Sequence, residues 1–245
     1  MFDPIDTDSE LIFIPNEEYS FYANLEDLET NDNFNYWECS LYHADSLTKA
    51  FENVCILNKD IVSGTDYRFY STFTAPDVPN GCYYIIITDT VDSDNVLYIS
   101  NKIVVQTDTK DTFLIRYRNA VDILNFGYEN LTSYYNKFRI EIIKRQPLNP
   151  LTTEGYPLTS GDFKRVRTTK IKDYEWVTGF FGELKHDALN AGVFHSTFQV
   201  NHDNRWYTYR LGNGNYDVQW SENYGLAQAL VRLEIADFAS SNKQL

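Results

Sequence analysis

Apolar and polar positions alternate over short stretches of this chain, and each stretch stops at a cluster of Gly, Pro, Asn or Asp. In Tyr67-Arg68-Phe69-Tyr70-Ser71-Thr72-Phe73, positions 67, 69 and 73 are aromatic while 68, 70 and 72 are polar or amphipathic. That is the period of an antiparallel strand with one buried face. In the first half the pattern predicts strands at Leu11–Ile14, Tyr19–Leu25, Tyr36–His43, Asn53–Leu57, Tyr67–Thr74, Cys82–Thr88 and Val96–Val105. Turn chemistry separates them: Ser63-Gly64-Thr65-Asp66, Pro76 to Gly81, and Asp92-Ser93-Asp94-Asn95. Asn80-Gly81 supplies the positive-φ residues that a tight turn needs. Seven short strands in about 100 residues match a β-sandwich of immunoglobulin type. The Cys…Trp…Cys core of antibody domains is absent, so only the architecture is implied.

The second half reads as β with one helix. Phe113–Tyr117 is a dense strand, and Phe138–Lys144 alternates until Ile143, with Pro147 and Pro150 expected to stop it. Residues 148–162 read as a loop rich in Gly, Pro and Thr. Phe163–Ile171 is a basic strand or hairpin, and Asp173–Phe181 is a further strand. Glu183–Ala191 is the expected helix, ended by Gly192 at C′. Strands follow at Val193–Val200, Arg205–Arg210, Tyr216–Trp220 and Leu226–Ile235, and the tail from Ala239 is expected to fray. Leu226–Phe238 has helical propensity as well. Strand is favoured there because Leu230, Arg232 and Glu234 share one face and Val231, Leu233 and Ile235 the other.

The fold class expected is therefore mostly β, with two β-sandwich-like domains. Residues 1–107 form the first and residues 112–245 the second, which carries the short helix at 183–191. The polar run Thr107-Asp108-Thr109-Lys110-Asp111 is the expected linker.

Charge sharpens that division. Residues 1–110 hold 5 Lys/Arg against 20 Asp/Glu, a net of −15, whereas residues 111–245 hold 16 and 15, a net of +1. An acidic half repels phosphate backbones and steers towards basic surfaces. The basic counterpart is Lys164, Arg165, Arg167, Lys170 and Lys172. It reads first as a solvated strand face, next as a docking surface for an acidic neighbour, such as residues 1–110 of another copy, and last as a contact for nucleic acid. The 16% aromatic share, mostly Tyr and Phe, suits half-buried strands and wet interfaces. Cys39, Cys55 and Cys82 are odd in number and read as buried free thiols in a reducing compartment. The start Met1-Phe2-Asp3-Pro4 has neither a basic n-region nor an apolar h-region, so no signal peptide is expected. No apolar run approaches a membrane span.

Candidate chemistry is sparse. His43, His186, His195 and His202 form no metal-ligand spacing. Asp89-x-x-Asp92-x-Asp94-Asn95 crowds carboxylates in one loop but lacks the Gly and Glu of an EF-hand. Cys82 has no histidine nearby in sequence. Glu17-Glu18 and Asp6/Asp8 are the carboxylate pairs that a glycosidase would need. Gly212-Asn213-Gly214-Asn215 lacks the ending of a phosphate loop and reads as a hairpin turn. No catalytic residue, metal or cofactor is called for.

Two stretches carry a family likeness. One is Thr72-Phe73-Thr74-Ala75-Pro76-Asp77-Val78-Pro79-Asn80-Gly81-Cys82-Tyr83-Tyr84-Ile85-Ile86-Ile87, followed by Tyr98 to Val105. The other is Phe113 to Asp122 with Asn125-Phe126-Gly127-Tyr128 and Phe138-Arg139-Ile140-Glu141, continued by His186-Asp187-Ala188-Leu189. Together they resemble virion structural proteins of tailed phages that infect Bacteroidetes, including the crAss-like group. The resemblance implies an immunoglobulin-like domain joined to a second β-rich domain, and a tail or neck building block that assembles head-to-tail into a ring. It implies a location in the virion tail after synthesis in the host cytoplasm. Its partners would be copies of itself and other tail or portal-region proteins, with no sequence-specific nucleic acid and no membrane. The alternative from residues alone is a carbohydrate- or host-surface-binding module presenting Trp206, Tyr207, Tyr209, Trp220 and Tyr224. A third is a hydrolase with two carboxylates in one cleft.

Overall fold

A computed structural model describes residues 11–25, 37–63, 66–90, 95–119, 131, 134–148, 151–170, 172–212, 216–221, 225–235 and 240–243. The first strands are β1 (Leu11–Phe13), β2 (Glu18–Leu25), β3 (Trp37–His43), β4 (Lys49–Phe51), β5 (Asn58–Ser63) and β6 (Asp66–Thr74). They continue with β7 (Gly81–Asp89), β8 (Asn95–Ile99), β9 (Ile103–Val105), β10 (Thr112–Arg118) and β11 (Asn136–Leu148). Then come β12 (Leu151–Pro157), β13 (Phe163–Lys170), β14 (Asp173–Thr178), the helix α1 (Glu183–Val193), β15 (Thr197–His202) and β16 (Arg205–Leu211). The last are β17 (Asp217–Trp220), β18 (Ala227–Ile235) and β19 (Ser240–Lys243). The protein is mostly β, as its period-2 pattern requires.

In the first half two sheets share one core. β2, β6 and β5 form a three-stranded antiparallel sheet, while β3 lies between β4 and β7 in the large sheet. Tyr19 and Phe73 from the small sheet pack with Leu41, Tyr83, Ile85 and Ile87 from the large one. Alternation does the sorting: on β6, Ser71 and Phe73 are buried while Thr72 and Thr74 are exposed. The expected strand Val96–Val105 is divided. β8 and β9 both pair with β7, and between them Ser100 accepts a hydrogen bond from the Ile85 amide at 2.9 Å. The expected strand Asn53–Leu57 is not regular. Val54 and Cys55 are buried there, and the Val54 amide reaches the Cys39 carbonyl at 2.8 Å without starting a ladder.

The second half extends the same large sheet in the order β10-β15-β16-β18-β14-β11. Its core holds Ile115, Ile140, Trp176, Phe198, Val200 and Val231, covered by Leu189 and Val193 of α1. The helix runs two residues past the expected end, because Gly192 is not its C′ residue. A Cβ at Gly192 would lie 2.9 Å from the Tyr117 ring, so glycine is used for close packing, and Phe194 is the C-cap. β18 is a strand, with Val231 and Leu233 buried and Arg232 exposed.

The two halves are joined through their backbones. β1 pairs in parallel with β9 and antiparallel with β11, so one sheet passes through both regions. Buried side chains nevertheless fall into two clusters, one from Phe13 to Leu114 and one from Ile115 to Leu233. The run expected as a linker is a hydrogen-bonded turn. The Thr112 amide reaches Thr109 O at 3.2 Å, the Lys110 amide reaches Asp108 Oδ1 at 2.8 Å, and Ile142 donates to Asp111 O at 2.9 Å. Asp111 takes a positive φ of 56° to make it.

Candidate assembly surface

Between β11 and β14, which are neighbours in the large sheet, the chain makes an excursion. β11 begins buried and ends exposed, and it does not stop at Pro147. A register shift between Lys144 and Pro147 accommodates the proline, and pairing with β14 resumes at Pro147–Tyr174. Residues expected as a loop then form β12, which pairs along its whole length with β13. Threonines stand opposite threonines at 152–169 and 153–168. Gly155 permits the pairing, since a Cβ there would meet the Lys164 carbonyl at 2.3 Å and the Phe163 ring at 2.6 Å. The turn is closed by Gly161 N to Leu158 O at 2.9 Å, with Gly161 at φ 89°. The tail does not fray at once: β19 pairs with β13, from Arg167–Lys243 to Lys170–Ser240. The result is a three-stranded arm with β12 at one edge.

The arm carries the basic residues singled out by sequence. Lys164 is exposed on β13, and Arg165, Arg167 and Lys170 lie on the same strand, with Arg167 opposite Glu154. Lys172 lies beyond it, over the Tyr174 ring at 5.5 Å, where Lys144 also sits at 4.0 Å. So four of the five lie on one strand and the fifth is committed to an aromatic face. Sequence reasoning missed the apolar side chains interleaved with them. Every residue from Glu154 to Lys164 is exposed, and Tyr156 (48%), Leu158 (41%), Phe163 (59%) and Val166 (46%) stand in water. Calling 148–162 a loop hid that signal.

A second exposed apolar patch lies in the acidic half. Among the described residues β4 ends the large sheet, with no strand paired on its outer edge. Leu47 (62%), Phe51 (42%) and Ile56 (84%) are exposed around it, beside the exposed Asp45 and Glu52.

Acid meets base inside the chain as well. Arg139 of β11 is 7% exposed; it donates to Glu17 through Nε at 2.8 Å and through Nη2, and to Thr112 Oγ1 at 2.9 Å. Lys137 pairs with Glu18. Burial holds the Tyr19 hydroxyl far above the usual phenol range, and its hydrogen bond to Glu17 adds to that. Burial alone would lower the Arg139 pKa; Glu17 reverses the sign and raises it.

The remaining candidates are dispersed. Both His186 nitrogens are occupied, by Tyr216 Oη and Ala227 O, each at 2.9 Å, and burial lowers its pKa. Cys82 is exposed rather than buried, because its position at the start of β7 faces outward. Cys39 and Cys55 are buried. Asp92 and Asp94, Tyr224 and residues 213–215 lie outside the described residues, as do Asp6 and Asp8. The described residues hold no group of three or more His, Cys, Asp or Glu arranged for a metal. No helix among them is long and apolar enough to cross a membrane.

Of the aromatic residues, Tyr209 is core, at 3% exposure. The Trp206 ring is covered by Arg116 at 4.1 Å and Lys137 at 5.6 Å. Trp220 is exposed beside His186, and Tyr207 packs against the second core. A mostly apolar gap between the two cores is lined by Phe13, Phe73, Tyr98, Tyr117 and Phe138 with Lys137 and Asn101, and its described lining holds no carboxylate, thiol or imidazole. Two buried carboxylates, Asp173 and Glu234, face each other across β14 and β18. Arg210 binds Glu234 at 3.0 Å; burial, then Glu234, raises the Asp173 pKa. No protein-family model matches the chain, and no curated protein matches its sequence.

Proposed function

We propose that this chain is a structural component of a phage tail or neck assembly, repeated head-to-tail into a closed ring that contributes to the DNA passage. Residues 1–107 act as an immunoglobulin-like sandwich domain and residues 112–245 as a second β-rich domain. The two separate cores and the paired sheets around Tyr19 and Leu41 support that division. The phage setting rests on the sequence resemblance.

One observation carries the assembly reading. The chain has two different exposed apolar patches, one set among bases on the arm and one set among acids beside β4. Patches of this kind on a single chain mark interaction sites. Being unlike each other, they suit a heterologous contact, which closes into a ring when the rotation permits. The arm of one copy seats Phe163 against Leu47, Phe51 and Ile56 of the next, on the hairpin face opposite to Tyr156 and Lys164, and bases of β13 face Asp45 and Glu52. Charge then sets orientation and encounter rate, and apolar burial sets affinity.

Electron microscopy of the concentrated full chain tests this, together with mass spectrometry of purified virions. Rings of uniform diameter, and the chain present in particles, are expected. A strict monomer at every concentration together with absence from virions would overturn it.

A further inference from the structure

We propose that Cys39 and Cys55 form an oxidation site that closes into an intrachain disulfide when the protein leaves a reducing environment. Cys39 lies in the middle of β3, and Cys55 lies in the irregular segment that returns along it after β4. The Val54 amide donates to the Cys39 carbonyl at 2.8 Å, which clamps the two segments together one residue from the thiols. The two sulfurs are 2.6 Å apart and both residues are buried, at 2% and 8% exposure. Two thiols that needed only to fill space would sit at the wider separation of ordinary sulfur packing. Here the side chains point directly at each other across a fixed backbone contact.

The arrangement also explains a local oddity. Residues 53–57 form no ladder, yet Val54 and Cys55 are buried with the first core. A covalent tie to β3 would hold a segment that few backbone hydrogen bonds hold. The bond would close a loop of 16 residues, long enough for the cross-link to restrict the unfolded chain appreciably. Cys82 is exposed and lies outside this contact, so it serves as an internal control.

The reaction balances simply. Each thiol loses one proton and one electron, and one S–S bond forms. A low-molecular-weight disulfide such as oxidised glutathione accepts the two electrons and two protons and leaves as two thiols. The hydrogen bond between the thiols, and then burial, holds Cys39 well above the usual thiol range. Exchange therefore proceeds slowly at neutral pH and faster in mild alkali. The inference stands independently of the assembly reading.

The test uses the purified full chain. It is reduced, freed of reductant, incubated with oxidised glutathione at mildly alkaline pH, then denatured, alkylated and digested. The expected result is a cross-linked peptide joining Cys39 to Cys55, an alkylated or glutathionylated Cys82, and loss of two hydrogens across the linked pair. The oxidised protein should melt higher than the reduced one by an amount on the order of 5–10 °C. Cys55→Ala should abolish both changes. Alkylation of Cys39 and Cys55 as separate thiols after full oxidation, or pairing of either with Cys82, overturns the proposal. The wild-type peptide map decides the matter even where the variant fails to fold.

Discussion

The junction and the arm treat opposite charges in opposite ways. At the junction, Glu17 in the turn between β1 and β2 pairs with the buried Arg139 of β11, with Thr112 and Tyr19 completing the network. On the arm, Lys164 and large apolar side chains are exposed. The acidic half thus satisfies part of its charge within the chain, at two bases of β11. It leaves another part, around β4, without a described basic partner beyond Lys49. The contrast separates cohesion from association. A buried pair holds one chain together, whereas the proposed assembly gives the basic apolar arm its counterpart on another copy.

Breaking the junction should have the largest effect on stability. Arg139→Ala leaves Glu17 partly buried and uncompensated, and should cost about 3–5 kcal/mol. Replacing both residues by Met should recover most of that loss, and denaturant unfolding of the two variants checks it. Equal losses in the single and double variants would show that the region fails for another reason.

The arm should behave in the reverse manner. Phe163→Asp should change unfolding free energy by no more than about 0.5 kcal/mol, as for other surface positions. Self-association should weaken by about 10-fold or more, because a desolvated aromatic anchor is lost. Phe51→Asp should weaken it similarly from the other side. Sedimentation velocity separates the two effects.

Smaller effects sharpen the picture within the sheets. Asp173 and Glu234 are like charges directly opposite each other, so Asp173→Asn should stabilise the protein at neutral pH by roughly 0.2–1 kcal/mol. The sign follows from the raised Asp173 pKa: its carboxylate costs stability above that pKa. The advantage of Asn should therefore shrink as pH falls through the shifted pKa towards that of an unfolded aspartate. Melting curves across acid to neutral pH read it. Lys49→Ala should have an effect of similar size, about 0.2–1 kcal/mol, but one that declines with salt. Its partner Glu38 is held below the usual carboxylate range, chiefly by the Lys49 hydrogen bond. That contribution is present above the unfolded carboxylate pKa and is lost as pH falls through the lowered one.

The central strands of the first half could be read from the sequence almost to the residue. β3, β6 and β7 span Trp37–His43, Asp66–Thr74 and Gly81–Asp89, against expected 36–43, 67–74 and 82–88. On β6 alternating burial imposes the pattern, whereas β3 and β7 are buried on both faces at their centres, around Cys39–Leu41 and Ile85–Thr88. Legibility failed where pairing is non-local or permissive. β12 is polar, proline-bearing and exposed, so only its partner β13 makes it a strand. β19 is a strand by pairing alone. Pro147 is tolerated because a register shift lies beside it. The basic residues of the arm were legible as charge, but their setting among exposed apolar side chains depends on that hairpin. Arg139 was invisible as a buried residue: it alternates with Phe138 and Ile140 as a solvent-facing residue would, and is covered by Glu17 from the turn between β1 and β2 and by Thr112 of β10.

In the proposed assembly one chain seats its arm on the acidic edge of the next. Light scattering on the full chain across a wide concentration range, alongside Phe163→Asp, tests it most directly. The account predicts a closed oligomer of discrete mass for the unaltered chain and a monomer for the variant. A monomer in both, or an oligomer untouched by the substitution, would contradict it.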